Sequence, residues 1–189
     1  MSNLFLTVRT LQARLDKAGI ASIVIGGVAI AVWGEPRVTR DVDLKVLLRR
    51  EEASRLLTVL APDYVSLLPD PITALHRQAM LFVQDEAGTR LDLLLADTPY
   101  DVLAIQRGRD IEVQPGLNIR VCSPEDLIIY KLISTRPRDH EDAAGVVRRQ
   151  GDALDDLYVL DWLRQFEQAL DDSTLVAEYK QLRRKHRSR

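Results

Sequence analysis

Two aspartates, Asp41 and Asp43, stand two residues apart in the stretch RDVDL. The residues of RDVDLKVLL alternate with a period of two, which predicts a β-strand with Asp41, Asp43 and Lys45 on one side and apolar residues on the other. The Cα atoms of residues i and i+2 in a strand are about 6 to 7 Å apart, so the two carboxylates can converge on divalent cations. The same pattern taken alone is also typical of a solvated strand face.

A third aspartate, Asp92, lies in RLDLLLA. An unpaired buried carboxylate is costly, so Asp92 either faces water, pairs with a cation such as Arg90, or binds metal. If its strand neighbours that of Asp41 and Asp43, three carboxylates share one face. Such a set can hold two Mg²⁺ ions about 3.5 to 4 Å apart, which align an attacking hydroxyl with a pyrophosphate leaving group. Magnesium fits better than zinc because the ligands are all hard oxygens.

The glycine pair Gly26-Gly27 follows the short β-branched run SIVI, where a predicted strand turns into a helix. Glycine at such a place lets the backbone approach a phosphate, and a helix N-terminus attracts anions. Taken alone, without the acidic strand that follows, the pair is more typical of a plain tight turn.

The stretch LIIYKLI is apolar on every helical face except at Lys131. A helix of this kind is normally buried, so the lysine must snorkel to solvent, pair with a carboxylate, or project into a cleft where it neutralises phosphate. Downstream, RPRDHED supplies Asp139 and Asp142 near the start of the next helix. Capping of that helix and stabilisation of its dipole are the alternative roles for these aspartates.

The elements that must position these residues follow from periodicity and from turn signals. Up to residue 122 the predicted elements are an opening helix, the strand SIVIG, a short helix ending near Gly34, the strand of Asp41, a helix over 51–60, a hairpin of AMLFVQ and RLDLLLA, a helix over 99–106, and the strand pair IEVQ and NIRVC. The run Ser123-Pro124-Glu125-Asp126 then begins a helical part that is broken near Pro137 and Gly151. The order predicts an α+β fold. Residues 1–122 form a core with a mixed sheet flanked by helices, and residues 123–189 form a helical part packed on that core.

The composition narrows the class of protein. The chain has 189 residues, of which 46% are hydrophobic and 29% charged, and this excludes a disordered, collagenous or coiled-coil protein. Its longest run without a charge is shorter than the roughly 20 residues that cross a bilayer. Cys122 is the only cysteine, which excludes an intramolecular disulfide. We therefore expect a soluble, unprocessed, cytoplasmic protein.

Charge is unevenly spread along the chain. The last ten residues, KQLRRKHRSR, hold six lysines and arginines and no acid, whereas the rest of the chain has 20 basic and 28 acidic side chains. A basic tail on an acidic body can follow a phosphate backbone, which makes RNA a candidate partner. A solvated terminus is the alternative.

These motifs together resemble the nucleotidyltransferase superfamily related to DNA polymerase beta, in the small bacterial branch that includes AbiEii-like toxins. In that branch a glycine pair, an arginine and a threonine in the following loop, and DxD on the second strand occur together, and RLDLL matches the strand of its third carboxylate. The segment SPEDLIIYKLISTRPRDHED resembles a later motif in which a helical lysine precedes a basic-Asp-x-x-Asp step. The matching positions are Gly26, Gly27, Arg37, Thr39, Asp41, Asp43, Asp92, Lys131, Arg138, Asp139 and Asp142.

The resemblance implies a polymerase-beta-like fold that binds a nucleoside triphosphate (NTP) with Mg²⁺ or Mn²⁺ and transfers the nucleoside monophosphate (NMP) to an acceptor hydroxyl. The acceptor would be RNA, such as the tRNA 3′ end, or a protein, and the enzyme would be a toxin with a cognate antitoxin as partner. The implied catalytic and metal-binding residues are Asp41, Asp43 and Asp92. The implied nucleotide-binding residues are Gly26, Gly27, Arg37, Thr39, Lys131, Asp139 and Asp142.

One departure from the superfamily bears on activity. Many members have Gly-Ser where this chain has Gly26-Gly27, so a phosphate-binding hydroxyl is missing. This favours a second hypothesis, in which the same fold is a catalytically inactive nucleotide-binding or partner-docking module. A metal-dependent phosphohydrolase is the third.

Overall fold

Strands and helices alternate over the first two thirds of the chain, and helices alone follow. The computed structural model describes the backbone of residues 2–187 and the side chains of residues 4–185. Its strands are β1 (Ser22–Ile25), β2 (Asp41–Val46), β3 (Tyr64–Ser66), β4 (Met80–Asp85), β5 (Arg90–Leu95), β6 (Arg109–Gln114) and β7 (Leu117–Val121). Its α-helices are α1 (Ser2–Lys17), α2 (Gly26–Trp33), α3 (Ala53–Leu60), α4 (Pro71–Gln78), α5 (Pro99–Gln106), α6 (Pro124–Leu132), α7 (Pro137–Gln150), α8 (Asp156–Leu170) and α9 (Leu175–Arg187).

The strands of the described chain form one mixed sheet in the order β3-β4-β5-β2-β1-β7-β6. Two neighbouring pairs, β2 with β5 and β1 with β7, are parallel, and the other neighbouring pairs are antiparallel. This arrangement confirms the predicted α+β fold, and the antiparallel pair β4–β5 confirms the predicted hairpin. The topology brings β5 beside β2, although β3, β4 and two α-helices lie between these strands in the sequence.

Period-two alternation explains how the central strands bury one face. In β2 the side chains of Val42, Leu44 and Val46 are fully buried, and the residues between them are partly exposed. In β5 the leucines at 91, 93 and 95 repeat this pattern. Burial of each such side chain contributes about 1.5 to 3 kcal/mol, so a shift of register that exposed one set would be strongly unfavourable.

Contacts within the chain divide it into two units. The first contains the residues up to Val28 together with Val38–Cys122, and therefore the whole sheet. The second contains Ala29–Arg37 together with the chain from Ser123 onward. The segment Ala29–Arg37 thus belongs with the C-terminal helices, although its position in the sequence lies within the predicted core. The predicted packing of the helical part on that core stays a prediction.

Two short elements occur where the sequence showed no periodicity. β3 and α4 lie between residues 61 and 79, a stretch to which the sequence analysis assigned no element. The side chain of Asp70 accepts a hydrogen bond from the Thr73 amide, and Pro71 occupies the first turn, so α4 begins with standard capping chemistry. Over the part of the chain that the structure describes, no helix combines the length and the apolar character needed to cross a bilayer.

Candidate functional site

The three predicted carboxylates lie on one face of two neighbouring strands. In the parallel pair β2–β5, Asp43 is aligned with Asp92 and Asp41 with Arg90. Neighbouring strands are about 4.8 Å apart, and aligned residues in a sheet point to the same side. Asp41, Asp43 and Asp92 alternate with fully buried apolar residues, so all three occupy the opposite, partly exposed face. Strand order, which the spacing in the sequence could not establish, therefore brings these residues together.

Asp92 pairs with a cation from its own strand. Arg90 donates from Nε to Asp92 Oδ1 at 2.6 Å and from Nη2 to Oδ2 at 3.0 Å. The guanidinium carbon lies 4.6 Å from the ring centroid of Phe82, which holds the group by a cation–π contact. The hydrogen bond to Asp92 raises the pKa of Arg90, and the negative charges of Asp41 and Asp43 add to this rise. Of the alternatives for Asp92, the structure shows the ion pair.

The glycine pair packs directly against the residues that carry this site. Gly26 has a φ of +61°, and a Cβ atom there would overlap the Asp43 carboxylate, 2.6 Å from its Cγ. A Cβ atom on Gly27 would overlap the hydroxyl of Thr39, 2.8 Å from the Thr39 Cβ. Thr39 Oγ1 in turn donates to Asp41 Oδ1 at 3.0 Å. The first turn of α2 and the start of β2 therefore fit together only because neither glycine has a side chain.

The donor set of this face suits magnesium by its chemistry. Its ligand atoms are all carboxylate oxygens, which Mg²⁺ prefers, and they come from adjacent positions on two paired strands. Among the side chains of residues 4–185, no group of three or more histidines, cysteines, aspartates or glutamates is arranged to hold one metal ion. On this face the third carboxylate, Asp92, is turned toward a cation of the chain itself, Arg90.

Four further residues of the prediction form an ion-pair network within the second unit. Asp142 accepts from Arg37 Nε at 2.8 Å and from Arg37 Nη2 at 2.9 Å, and its Oδ2 lies 3.0 Å from Lys131 Nζ. Lys131 also bonds Asp139, which accepts a second hydrogen bond from Ser134. The side chains of Lys131, Asp139 and Asp142 are all less than one tenth exposed. We call these residues, Arg37, Lys131, Asp139 and Asp142, the buried ion network.

The pKa values of the two aspartates in this network are lowered. Burial acts to raise the pKa of Asp139, but hydrogen bonds from Lys131 and Ser134 more than offset it, so the pKa is lowered. Burial likewise acts to raise the pKa of Asp142, and bonds from Arg37 and Lys131 lower it overall. Of the alternatives for Lys131, the structure shows pairing with carboxylates. Nucleotide binding by the four residues stays a prediction.

Asp139 does not cap the helix in which it lies. The residue at the cap position of α7 is Arg136, whose side chain makes no capping hydrogen bond. The Asp139 carboxylate instead binds Lys131, Ser134 and Arg136, and Arg136 Nε lies 2.9 Å from Oδ2. Arg138, the basic residue of the later motif, is exposed.

Sequence reasoning missed one charged pair beside the carboxylates. Lys45, the next residue on the Asp41–Asp43 face of β2, places Nζ 2.8 Å from Asp101 Oδ1. Asp101 is 5% exposed and lies in the first turn of α5, where the Thr98 hydroxyl also donates to it. The run Thr98-Pro99-Tyr100-Asp101 is a typical helix start, and this was the available signal. Nothing in the spacing identified Lys45 as the partner of Asp101.

Several solved structures share this fold. The solution structure of the antibiotic-resistance factor ANT(2″)-Ia is similar with a TM-score of 0.59 at 16% identity, over 90% of this chain and 96% of that one. Its crystal structure in complex with adenylyl-2″-tobramycin gives a TM-score of 0.57 at 14% identity, over 87% and 99%. An antigenic nucleotidyltransferase-like protein from Paracoccidioides brasiliensis gives 0.53 at 17%, over 92% and 95%. At such identities the likeness shows the fold alone.

A comparison with curated proteins finds no match. The family model does match, and it spans nearly the whole chain, from residue 1 to residue 187. The predicted nucleotidyltransferase superfamily is thereby confirmed, whereas the AbiEii-like branch stays a prediction. The chain belongs to the family described as nucleotidyltransferase of unknown function (DUF6036).

Proposed function

We propose that this chain is an active transferase that moves an NMP group from an NTP to an acceptor hydroxyl, with Asp41, Asp43 and Asp92 at its centre. The alignment of Asp43 with Asp92 on parallel neighbouring strands, on the same face as Asp41, carries the proposal. Three carboxylates so close together repel one another and are stabilised by cations. The hydrogen bond to Asp92 raises the pKa of Arg90, and the negative charges of Asp41 and Asp43 add to this rise.

In this proposal Asp41 and Asp43 hold Mg²⁺, and Asp92 completes the site. When bound, the metal supplies neutralisation of phosphate charge and alignment of the reacting groups. The acceptor oxygen forms a bond to the α-phosphorus, the bond from that phosphorus to the bridging oxygen breaks, and pyrophosphate leaves. The acceptor's proton goes to a carboxylate oxygen of Asp92, which must exchange its Arg90 partner for the hydroxyl. The N-terminal turn of α2, at Gly26 and Gly27, offers backbone N–H groups to the triphosphate.

The test of this proposal is transfer of label from each α-labelled NTP, with Mg²⁺, to a panel of acceptors. The panel holds total tRNA, total protein and tobramycin, the last because ANT(2″)-Ia was solved with an adenylyl-tobramycin. We expect one acceptor to be labelled, and we expect Asp43→Ala to reduce labelling by about a hundredfold or more, as loss of one key electrostatic group does in other enzymes. Asp110→Ala, at a 73% exposed aspartate on β6, is the matched control and should keep full activity. No labelling of any acceptor, or equal labelling by Asp43→Ala, would contradict the proposal.

A nucleotide-binding module without turnover is the second candidate function. The two-bond pairing of Arg90 with Asp92 favours it, because this cation already satisfies the third carboxylate. Calorimetry separates the candidates: a module binds NTP and yields no product with any acceptor. In that case Asp43→Ala weakens binding of the NTP–Mg²⁺ complex, and neither the variant nor wild type forms product.

RNA is the acceptor class that the charge of the chain supports best. The exposed side chains of Lys180, Arg184 and Lys185 lie on α9, whereas Arg183 is buried and donates to Asp156 and to the Gly151 carbonyl. Exposed cations on one helix can contact successive phosphates of a tRNA.

A toxin role with a cognate antitoxin remains part of the same proposal. Its test is whether expression of the chain arrests growth and whether that arrest depends on Asp43.

A further inference from the structure

Thr39 is the one residue of the loop before β2 whose hydroxyl contacts a carboxylate of the candidate site among the hydrogen bonds described. Its Oγ1 donates to Asp41 Oδ1 at 3.0 Å. An ionised carboxylate has about four acceptor positions, so one bond from Thr39 fixes the orientation of the Asp41 group and leaves other positions for a cation. A role for Thr39 in orienting Asp41 differs from the nucleotide contact that the resemblance implies.

The Thr39 side chain occupies the space that a side chain at position 27 would fill. Unlike Gly26, Gly27 does not have a positive φ, so its backbone conformation is open to any residue. The space is not, because a Cβ atom there would overlap Thr39 Oγ1 and would lie 2.8 Å from the Thr39 Cβ. Gly27 is buried, and the partly exposed Thr39 side chain lies directly against it. A serine at position 27 has no room while Thr39 keeps its place.

We propose that Thr39 is a positioning residue that holds Asp41 in the orientation needed to bind a divalent cation. Position 27 is a glycine because any side chain there would displace Thr39. The inference rests on the proposed function, since it assigns Asp41 to metal binding. It also gives the glycine at position 27 a structural reason, because the Cβ atom of a serine there would overlap the Thr39 hydroxyl that orients Asp41.

The experiment compares Thr39→Val, which keeps the shape and removes the donor, with Thr39→Ser, which keeps the donor. Binding of Mn²⁺ alone to the full chain is measured by calorimetry, the unfolding midpoint is measured in EDTA, and kcat and KM for the NTP are measured with the best acceptor. We expect Thr39→Val to weaken Mn²⁺ binding about five- to tenfold and to lower kcat, with KM for the NTP within twofold of wild type. Thr39→Ser should restore Mn²⁺ affinity to within about threefold of wild type. The unfolding midpoints of both variants in EDTA should equal that of wild type.

A second variant tests whether the lack of a side chain at Gly27 makes room for Thr39. Gly27→Ala should weaken Mn²⁺ binding as Thr39→Val does, because the new Cβ displaces the hydroxyl. In the double variant the two losses should not add, since the hydrogen bond can be lost only once. Full addition of the two losses would contradict the proposal that glycine at position 27 makes room for Thr39.

Each remaining outcome has a distinct meaning. Wild-type Mn²⁺ affinity and kcat in Thr39→Val would overturn the inference and leave the proposed function intact. A raised KM for the NTP with unchanged Mn²⁺ affinity would also overturn it, because Thr39 would then contact the nucleotide. Failure of the wild-type chain to bind Mn²⁺ would contradict the proposed function and the inference together.

Discussion

At the level of single residues, each aspartate of the candidate site has a different neighbour. Asp43 lies against the backbone of Gly26, Asp41 accepts from Thr39, and Asp92 is paired with Arg90. Only the last of these neighbours is a cation. Arg90 therefore competes with any metal ion for Asp92, whereas Gly26 and Thr39 do not.

Replacement of Arg90 by glutamine should strengthen binding of Mn²⁺. The guanidinium is about half exposed, and an ion pair of that exposure is worth about 0.5 to 1 kcal/mol, which corresponds to about a two- to fivefold gain in affinity. Calorimetric titration of the full chain with Mn²⁺ measures the change. Arg77→Gln, at an exposed arginine on α4, removes the same charge and controls for the general field. An equal gain in both variants would show that the Arg90–Asp92 pair does not compete with the metal.

His140 gives the stability of the second unit a dependence on pH. Its Nδ1 lies 2.7 Å from Glu178 Oε1 and its Nε2 lies 2.7 Å from the Ser134 carbonyl oxygen, so both nitrogens face acceptors and favour the imidazolium. Burial lowers the pKa of His140, but the bonds to Glu178 and Ser134 raise it overall. A raised pKa in the folded state means that the stabilisation is complete below the unfolded value of about 6.5 and is lost as pH rises through the folded value.

We therefore expect His140→Gln to be less stable than wild type by about 0.5 to 1 kcal/mol near pH 6, and to match it near pH 9. Urea unfolding at a series of pH values measures the difference. A deficit of His140→Gln that grows with pH would refute this sign.

At the level of elements, the buried ion network joins the segment before β2 to two helices. Asp142 on α7 binds Arg37 in that segment and Lys131 on α6. Loss of one partner from a buried set leaves an uncompensated charge, which costs about 3 to 5 kcal/mol when the set is deeply buried. Arg37 is 26% exposed, so solvent reduces the cost on its side.

Asp142→Ala should accordingly lower the free energy of unfolding by about 2 to 4 kcal/mol. Urea unfolding followed by circular dichroism provides the measurement. Asp161→Ala is the control, because this aspartate on α8 is 67% exposed and pairs with Arg164 one turn away, and its loss should change stability by less than about 0.5 kcal/mol. Similar values for the two variants would mean that the network contributes no more than a surface pair.

The extent of prediction from sequence differs between elements and side chains. β2 and β5 could be predicted from their alternating pattern because each strand buries one face. The helix cap at Ser123 could be predicted because capping depends only on neighbouring residues. β3 has three residues, too few to show a period, and it was missed. The pairing of Asp92 with Arg90 was only one of several alternatives, because a choice between water, cation and metal depends on side-chain conformation and strand order, which spacing does not encode.

At the level of the whole molecule, charge is separated between an acidic body and a basic end. The exposed cations of α9 within the described part of the chain are Lys180, Arg184 and Lys185. Arg183 has a structural role instead, because it is 6% exposed and binds Asp156 and the Gly151 carbonyl. The predicted RNA contact can therefore be removed without disturbing the packing of α9.

The triple variant Lys180→Gln, Arg184→Gln, Lys185→Gln should bind tRNA more weakly and with less dependence on salt. Each phosphate contact contributes about 0.7 to 0.9 to the slope of log K against log salt, so loss of three contacts lowers the slope by about 2 to 3. Fluorescence anisotropy with labelled tRNA between low and physiological salt measures both quantities. A control triple variant at the exposed arginines 9, 77 and 164 carries the same change in net charge and should keep the slope of wild type. Equal slopes for the two triple variants would show that net charge, and not α9, attracts the RNA.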